Sequence, residues 1–335
     1  MPGVIKTEDQ LQFAYLPKLE WTKLRVKDPS EIERLLSACQ TYGFFYLNLA
    51  TPTSNQLIQD WEGLLEFMEA YFHQPLEKKM IDDRKSDTHG FSSYEPERTS
   101  AGVKENEPDA YESLKVTPDE LQNHAPAIPM AIQENQILFD RIMSNVGLIV
   151  MNLLETLSDA LGLSGLARLE NSHRDNEPSR TTLSMFRYPK QTEEDKGCGH
   201  NKHTDLGTIT FLLCKQWGLQ VLSPEKKDAW QFVKPEPGHA IINVGDSLRF
   251  LSGNRLLSAV HRVIPIGKRQ VEDRYSIAYF LRPEDAVEFK DARGLVVSAK
   301  DWHDRKFDVF RESHAQQAQE EILTGGMEKN DRIVV

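Results

Sequence analysis

Apolar side chains recur at helical spacing over the first half of the chain. Residues 30–41 have an amphipathic helical pattern that stops at Gly43, and residues 52–84 repeat apolar positions every three or four residues. The apolar pattern of residues 130–163 predicts a long helix on which a sheet packs. Residues 85–109 are polar and rich in Gly and Pro, so we expect a loop or lid there.

The pattern changes after residue 180 to short strand-length segments separated by Gly, Pro, Asn and Asp. Strands are predicted at residues 181–188, 208–214, 219–222, 230–233, 240–244, 259–264 and 276–281, with a further one at 295–298. Many short strands at this spacing favour a jelly roll. Residues 302–321 predict a C-terminal helix.

These elements together predict an α+β fold, in which a double-stranded β-helix (a cupin-like jelly roll) is flanked by helices. We divide the chain into three regions. Residues 1–120 are mainly helical, residues 121–300 contain the β-helix with its long helix, and residues 301–335 form a C-terminal helix and tail.

The strand pattern makes His203 and Asp205 candidate metal ligands. They stand two residues apart, so on a strand both side chains point to the same face. The apolar, β-branched residues 206–213 support that strand, and His261 lies in another alternating run. Two histidines and one carboxylate are the facial ligand set of non-haem Fe(II) oxygenases. The alternative is an ordinary surface strand end.

A second pair with the same spacing, His173 and Asp175, lies in a polar stretch without strand character. His-Arg-Asp also occurs in the catalytic loop of protein kinases, but no Gly-rich loop or strand lysine accompanies it here. We therefore expect this pair to lie in a solvated loop and to bind no metal.

Arg274 and Ser276 form a candidate anion site. They are also two residues apart on an apolar strand, and a guanidinium beside a hydroxyl binds carboxylates well. The alternative is an arginine paired with Glu272 or Asp273. Tyr188, on another predicted strand, offers a further hydroxyl.

With these residues in place, the chain resembles the isopenicillin N synthase-like iron and 2-oxoglutarate-dependent dioxygenases over nearly its whole length. Stretches that match this family lie at residues 42–47, 90–91, 111–114, 238–246 and 251–254. The resemblance implies that iron is bound by His203, Asp205 and His261. It also implies that the distal carboxylate of 2-oxoglutarate is bound by Arg274, Ser276 and Tyr188. The sequence departs from the family at Phe186, where many plant members carry asparagine.

The resemblance implies an enzyme that uses Fe(II), 2-oxoglutarate and O2, releases succinate and CO2, and oxidises a small molecule. Residues 199–205 and 302–311 are similar to fungal members that act on secondary metabolites. Hydroxylation, desaturation and ring rearrangement all remain open as outcomes. Two alternatives also remain: an iron-dependent oxidase that needs no 2-oxoglutarate, and a non-catalytic small-molecule binder.

The composition of the chain limits the kinds of partner that we expect it to bind. A net charge of −11 on 335 residues argues against nucleic acid, and the longest apolar run, residues 146–154, is too short to span a bilayer. We expect no signal peptide in residues 1–10, and three unpatterned cysteines predict no disulfide frame. We therefore expect a cytoplasmic monomer. Substrate selectivity is expected in residues 85–109, in the tail after Trp302, and near Phe186 and Leu212.

Overall fold

An eight-stranded sheet, a four-stranded sheet and a layer of helices organise the chain in this computed structural model, which describes residues 11–84, 91–193, 195, 199–224, 226, 228–267 and 269–327. The helices are α1 (Trp21–Arg25), α2 (Pro29–Thr41), α3 (Asn55–Phe72), α4 (Leu76–Lys79), α5 (Pro118–Gln122), α6 (Met130–Glu134), α7 (Gln136–Ala160), α8 (Asp246–Leu251), α9 (Ala299–Arg311) and α10 (His314–Gln317). The strands are β1 (Lys18–Glu20), β2 (Phe44–Asn48), β3 (Ser93–Glu95), β4 (Glu112–Val116), β5 (Thr182–Tyr188), β6 (His200–His203), β7 (Ile209–Cys214), β8 (Leu219–Leu222), β9 (Trp230–Phe232), β10 (His239–Val244), β11 (His261–Val263), β12 (Arg274–Leu281), β13 (Glu288–Lys290) and β14 (Val296–Ser298).

The large sheet has eight strands in the order β1-β2-β10-β7-β12-β5-β4-β3, and the small one has four in the order β6-β11-β8-β9. All neighbours are antiparallel except β1 and β2. Residues from both sheets line one cavity, so the two sheets face each other across it. The predicted α+β jelly roll flanked by helices is confirmed.

Several boundaries differ from those predicted. The long helix expected at residues 130–163 is interrupted at Asn135, whose side chain bonds to the Ala131 carbonyl at 2.9 Å and so caps α6. The predicted C-terminal helix is likewise divided into α9 and α10, because Ser313 and Gln316 form a capping box that begins a new helix. The strand expected at residues 259–264 is shorter and begins at His261.

The N-terminal region contributes more to the sheet than its helical pattern predicts. Strands β1 to β4 all belong to the large sheet. The prediction of a loop over residues 85–109 is wrong for β3, which pairs with β4 and buries Tyr94. Residues 85–90 of that stretch, together with residues 1–10 and 328–335, lie outside the described residues. The division into three regions stays a prediction.

The main core lies between the large sheet and helices α2, α3 and α7. Helix α7 is long and apolar enough to cross a membrane by length and composition alone, a property shared by core helices of soluble proteins. Eleven of its residues are buried, and side chains such as Phe139, Val146 and Leu153 join the core that includes Phe211 and Ile277 of the sheet. This packing supports its predicted role as the helix that covers the sheet.

Candidate active site

The two predicted histidine ligands lie side by side on neighbouring strands of the small sheet. His203 ends β6, His261 begins β11, and the two form a cross-strand pair whose imidazole centroids are 4.3 Å apart. Asp205 Oδ1 lies 3.5 Å from His203 Nε2 and 3.6 Å from His261 Nε2. The expectation that Asp205 lies on the strand is wrong, since it follows the end of β6. The structure nevertheless brings the three donor atoms within 4.8 Å of one another, which is close enough for one metal ion.

Hydrogen bonds orient each of these three side chains. Asp205 Oδ2 accepts bonds from Thr210 Oγ1 at 2.5 Å and Asn243 Nδ2 at 2.6 Å, which leaves Oδ1 facing the histidines. His203 Nδ1 lies 2.8 Å from the carbonyl oxygen of residue 201, and His261 Nδ1 lies 3.2 Å from that of residue 259. A carbonyl oxygen can only accept a hydrogen bond, so each Nδ1 carries the hydrogen and donates it, and each Nε2 keeps its lone pair for a metal.

Thr210 and Asn243 were not singled out from the sequence. They form a cross-strand pair between β7 and β10 of the large sheet, so the carboxylate is held by one sheet and the histidines by the other. The sequence signal that could have found Asn243 is a lone amide within the apolar run of residues 240–244. A buried amide needs a hydrogen-bonding partner.

The electrostatics of the cluster match the protonation states that metal binding needs. Burial alone would raise the pKa of Asp205, but the neighbouring His261 and His203, together with the Asn243 bond, outweigh it and hold that pKa well below its usual range. Burial lowers the pKa of His261 to about 4. At neutral pH the carboxylate is therefore ionised and this imidazole neutral, as metal ligands must be.

Arg274, the first residue of β12, lies at the centre of the candidate anion site. It pairs across the strands with Tyr188, and its guanidinium lies 4.8 Å from the centre of that ring. Its Nε donates to the Trp217 carbonyl at 2.8 Å, while its terminal nitrogens contact Ser276 Oγ at 3.4 Å and Cys214 Sγ at 3.2 Å. The three predicted cosubstrate residues are thus brought together.

The alternative pairing of Arg274 with an adjacent acid is wrong. Asp273 instead binds Arg187 Nε at 2.9 Å, and Glu272 accepts from Gln216 at 3.1 Å. Over the described residues, no carboxylate lies within ion-pair distance of the Arg274 guanidinium, although the side chain is only 1% exposed. A buried cation without an anion is costly, so this site fits a ligand that brings a carboxylate of its own.

Two adjoining cavities meet at the histidine–carboxylate cluster. The first, with about 500 Å³ of empty space, is lined by all six predicted site residues, and we call it the cosubstrate cavity. The second, with about 800 Å³, is the substrate cavity. Both are lined by a shared set, namely Phe186, His200, His203, Asp205 and Phe280. Leu212, which we expected near the substrate, lines the cosubstrate cavity instead.

Helix α9 forms one wall of the substrate cavity through His303, Lys306, Phe307, Phe310 and Arg311. Buried Lys306 fixes this helix to the rest of the fold, because its Nζ lies 2.5 Å from Asp246 Oδ2 and 2.7 Å from Thr204 Oγ1. The C-terminal segment therefore lies beside the cavity where we expected it, and it does so as a helix packed against the rest of the fold.

His173 is where the solvated-loop prediction is wrong. Its side chain is buried, with Nδ1 2.9 Å from the Leu169 carbonyl oxygen and Nε2 2.7 Å from Thr208 Oγ1. The next residue, Arg174, binds Glu284 through two nitrogens. The residue is thus structural and lies outside the metal cluster. The polar residues around it gave no sign of its burial, because Thr208 comes from a distant segment of the chain.

The fold and the site define a class: a jelly-roll, non-haem iron oxygenase with a pocket for an anionic cosubstrate. Comparisons with known proteins agree. The family model described as 2OG-Fe(II) oxygenase superfamily matches residues 179–283, and the one described as non-haem dioxygenase in morphine synthesis N-terminal matches residues 16–136.

Three fungal proteins are similar to most of the chain. Oxidoreductase vrtI of Penicillium aethiopicum is 53% identical over 96% of this chain and 76% of its own length. The 2-oxoglutarate-dependent dioxygenase frbH of Dothideomycetidae sp. (strain 11243) is 50% identical over 96% of this chain and 99% of its own. The 2-oxoglutarate-dependent dioxygenase gloE of Glarea lozoyensis is 49% identical over 97% of each. The chain belongs to the 2OG-Fe(II) oxygenase superfamily.

Solved structures support the fold. Neurospora crassa T7H in complex with alpha-KG superposes with a TM-score of 0.69 at 22% identity, covering 91% of this chain and 99% of that one. JOX2 in complex with 2OG, Fe and JA gives 0.66 at 22% identity and covers 94% of each chain.

The protein is therefore an Fe(II)- and 2-oxoglutarate-dependent dioxygenase that uses O2 and acts on a small organic molecule. This conclusion favours the predicted cosubstrate-dependent enzyme over the oxidase and the non-catalytic binder.

Proposed function

We propose that His203, Asp205 and His261 hold the iron, and that Arg274, Ser276 and Tyr188 hold the distal carboxylate of 2-oxoglutarate. The observation that carries this assignment is that all six residues line a single cavity. The metal cluster lies in this cavity together with the buried guanidinium of Arg274, which has no carboxylate partner among the described residues. Iron bound there would activate O2 and couple the decarboxylation of 2-oxoglutarate to oxidation of the substrate.

The chain itself orients the reactants and excludes water. Thr210 and Asn243 hold the Asp205 carboxylate so that one oxygen faces the metal. Phe186 and Phe280 line both cavities, and they place apolar surface between the cosubstrate end and the substrate end. A low-dielectric environment of this kind strengthens the Arg274 ion pair and protects reactive species from water.

The substrate is a small metabolite of secondary metabolism, and the product is hydroxylated, desaturated or rearranged. Support comes from a substrate cavity with several aromatic walls, among them Tyr111, Phe307 and Phe310, since ligand pockets are lined predominantly by such side chains. The similar fungal dioxygenases add to this support.

The experiment is O2 uptake and succinate release by the Fe(II)-loaded enzyme, with and without 2-oxoglutarate, in the presence of a small-molecule library. Mass shifts of library members identify the substrate, since gain of oxygen and loss of hydrogen report different outcomes. We expect succinate to form in step with substrate oxidation. Substrate oxidation that proceeds fully without 2-oxoglutarate would contradict the proposed role of Arg274.

The protein is further proposed to work as a cytoplasmic monomer, independently of nucleic acid and membranes. Its net charge of −11 supports independence from nucleic acid. The free, buried thiols of Cys39 and Cys214 support a reducing compartment. Gel filtration and localisation of the tagged protein test these points.

A further inference from the structure

A second arginine stands at the opposite end of the strand that carries Arg274. Arg282 follows the last residue of β12 and is eight positions from Arg274, so period-two alternation puts both on the same face. Arg274 lines the cosubstrate cavity, Arg282 lines the substrate cavity, and Phe280 lines both. The strand therefore presents one guanidinium to each cavity.

Arg282 is half-buried in the cavity wall and has few hydrogen-bonding partners. One terminal nitrogen donates to Thr182 Oγ1 at 2.8 Å and to the Arg180 carbonyl. Its Nε is buried without a hydrogen-bonding partner. Within the described part of the chain, no carboxylate comes within 4.0 Å of this guanidinium, whereas Arg174 and Arg187 each bind acids. Burial lowers the pKa of Arg282 to about 10, so it stays charged at neutral pH.

The remaining charges of the substrate cavity do not supply the missing anion. Lys115 and Arg311 both bind Glu95, at 2.8 Å and 2.7 Å, and Lys306 binds Asp246 outside the lining. Asp246 neutralises Lys306, so three basic side chains (Lys115, Arg282 and Arg311) line the cavity with two carboxylates (Glu95 and Asp205), one of which belongs to the metal cluster. This surplus of positive charge, in a protein of net charge −11, suits an anionic ligand.

We propose that Arg282 binds a carboxylate of the substrate, so that the enzyme oxidises a small aromatic or otherwise apolar acid. The acid group lies at the Arg282 end, beside the hydroxyls of Thr182 and Ser184, which also line the cavity. The apolar body packs between Phe280, Phe307 and the other rings. The proposal rests on the proposed function and adds the substrate class to it.

The test measures binding to the anaerobic enzyme loaded with Fe(II) and 2-oxoglutarate. The probes are 3-phenylpropanoate, 4-phenylbutanoate and cinnamate, each beside its methyl ester, and binding is read from the change in the iron–2-oxoglutarate charge-transfer absorption and by calorimetry. Charge-assisted hydrogen bonds contribute enough that at least one acid should bind about tenfold to a hundredfold more tightly than its ester. Arg282→Gln should abolish this preference, and Arg282→Lys should keep part of it. Arg293→Gln makes the same change at an exposed arginine that pairs with Asp291 away from the cavity, and should keep all of it.

Several results would overturn the proposal: no acid in the panel binding, acids and esters binding equally to the wild type, or an undiminished preference in Arg282→Gln. Retained 2-oxoglutarate affinity shows that a variant is folded. If Arg282→Gln fails to fold, the proposal is tested by Arg282→Lys and by the comparison of acid and ester in the wild type. A lysine variant that binds the ester as tightly as the acid would contradict the proposal. Failure of the proposed function is separate, because it would appear as absent 2-oxoglutarate-dependent succinate while the acid preference persisted.

Discussion

Replacing Arg274 by methionine tests the proposed cosubstrate site, because binding and stability should respond differently. The side chain is 1% exposed, and its charge has no carboxylate partner among the described residues. Truncating one partner of a buried, hydrogen-bonded charge pair costs about 2–5 kcal/mol. The affinity for 2-oxoglutarate should therefore fall by roughly 30-fold to several thousand-fold.

The stability of the ligand-free protein should change much less. Methionine leaves the Trp217 carbonyl, now bonded to Arg274 Nε at 2.8 Å, without its donor, at a cost of about 1–3 kcal/mol. Against this, removal of an uncompensated buried charge is favourable, and hydrophobic replacements of buried charges are often neutral or stabilising. The two effects oppose each other.

Thermal unfolding with Fe(II) under anaerobic conditions, with and without 2-oxoglutarate, separates these effects. Ligand at a hundred times its dissociation constant stabilises a protein by about 2.7 kcal/mol. We expect this shift in the wild type and its loss in Arg274→Met. The control is Arg187→Met on the neighbouring strand β5: Arg187 binds Glu112 and Asp273, so the ligand-free protein should be destabilised while the ligand-induced shift remains. Wild-type affinity for 2-oxoglutarate in Arg274→Met would refute the assignment.

Four further changes give separate tests. Replacing His203, Asp205 or His261 by alanine should abolish turnover and weaken Fe(II) binding, as measured by metal titration. The control His124→Asn, at an exposed histidine, should change neither, and normal iron content in an alanine variant would contradict the assignment of that ligand. Asn243→Leu removes a donor to Asp205 and should weaken Fe(II) binding by about 10- to 100-fold, and unchanged affinity would show that this bond does not matter. Burial lowers the pKa of His173 from 6.5 to about 4, so the unfolded state binds more protons than the folded state between these pH values. The free energy of unfolding should therefore fall by about 3 kcal/mol as the pH falls through this window. In chemical denaturation, His173→Gln should flatten this pH dependence. Lys306→Met breaks a buried ion pair and should lower the melting temperature, at a cost of about 3–5 kcal/mol; an unchanged melting temperature would show that α9 does not depend on it.

The local spacing of the chain was enough to predict the candidate ligand set and anion site. Arg274 and Ser276 are two residues apart on β12, as the strand pattern predicted, whereas Asp205 lies just beyond the end of β6. The resemblance to known dioxygenases then ordered these pairs into one site. Strand β8 was predicted with its observed bounds, since its apolar residues are framed by a glycine and a serine.

Other features depend on contacts between segments far apart in the chain, which periodicity does not describe. The burial of His173 depends on Thr208, and the orientation of Asp205 depends on Asn243. The strand that contains Tyr94 exists because β4 offers it an edge.

The sequence by itself predicted which residues are candidates for the chemistry, because ligand type and spacing are local properties. The tertiary structure decided which partner each charged side chain has. Arg187 and Arg282 look alike in the sequence, yet one binds two acids and the other, among the described residues, binds none. A charge inside the fold is paired with an acid or left to a ligand according to which segments pack around it, and that packing is a property of the whole fold.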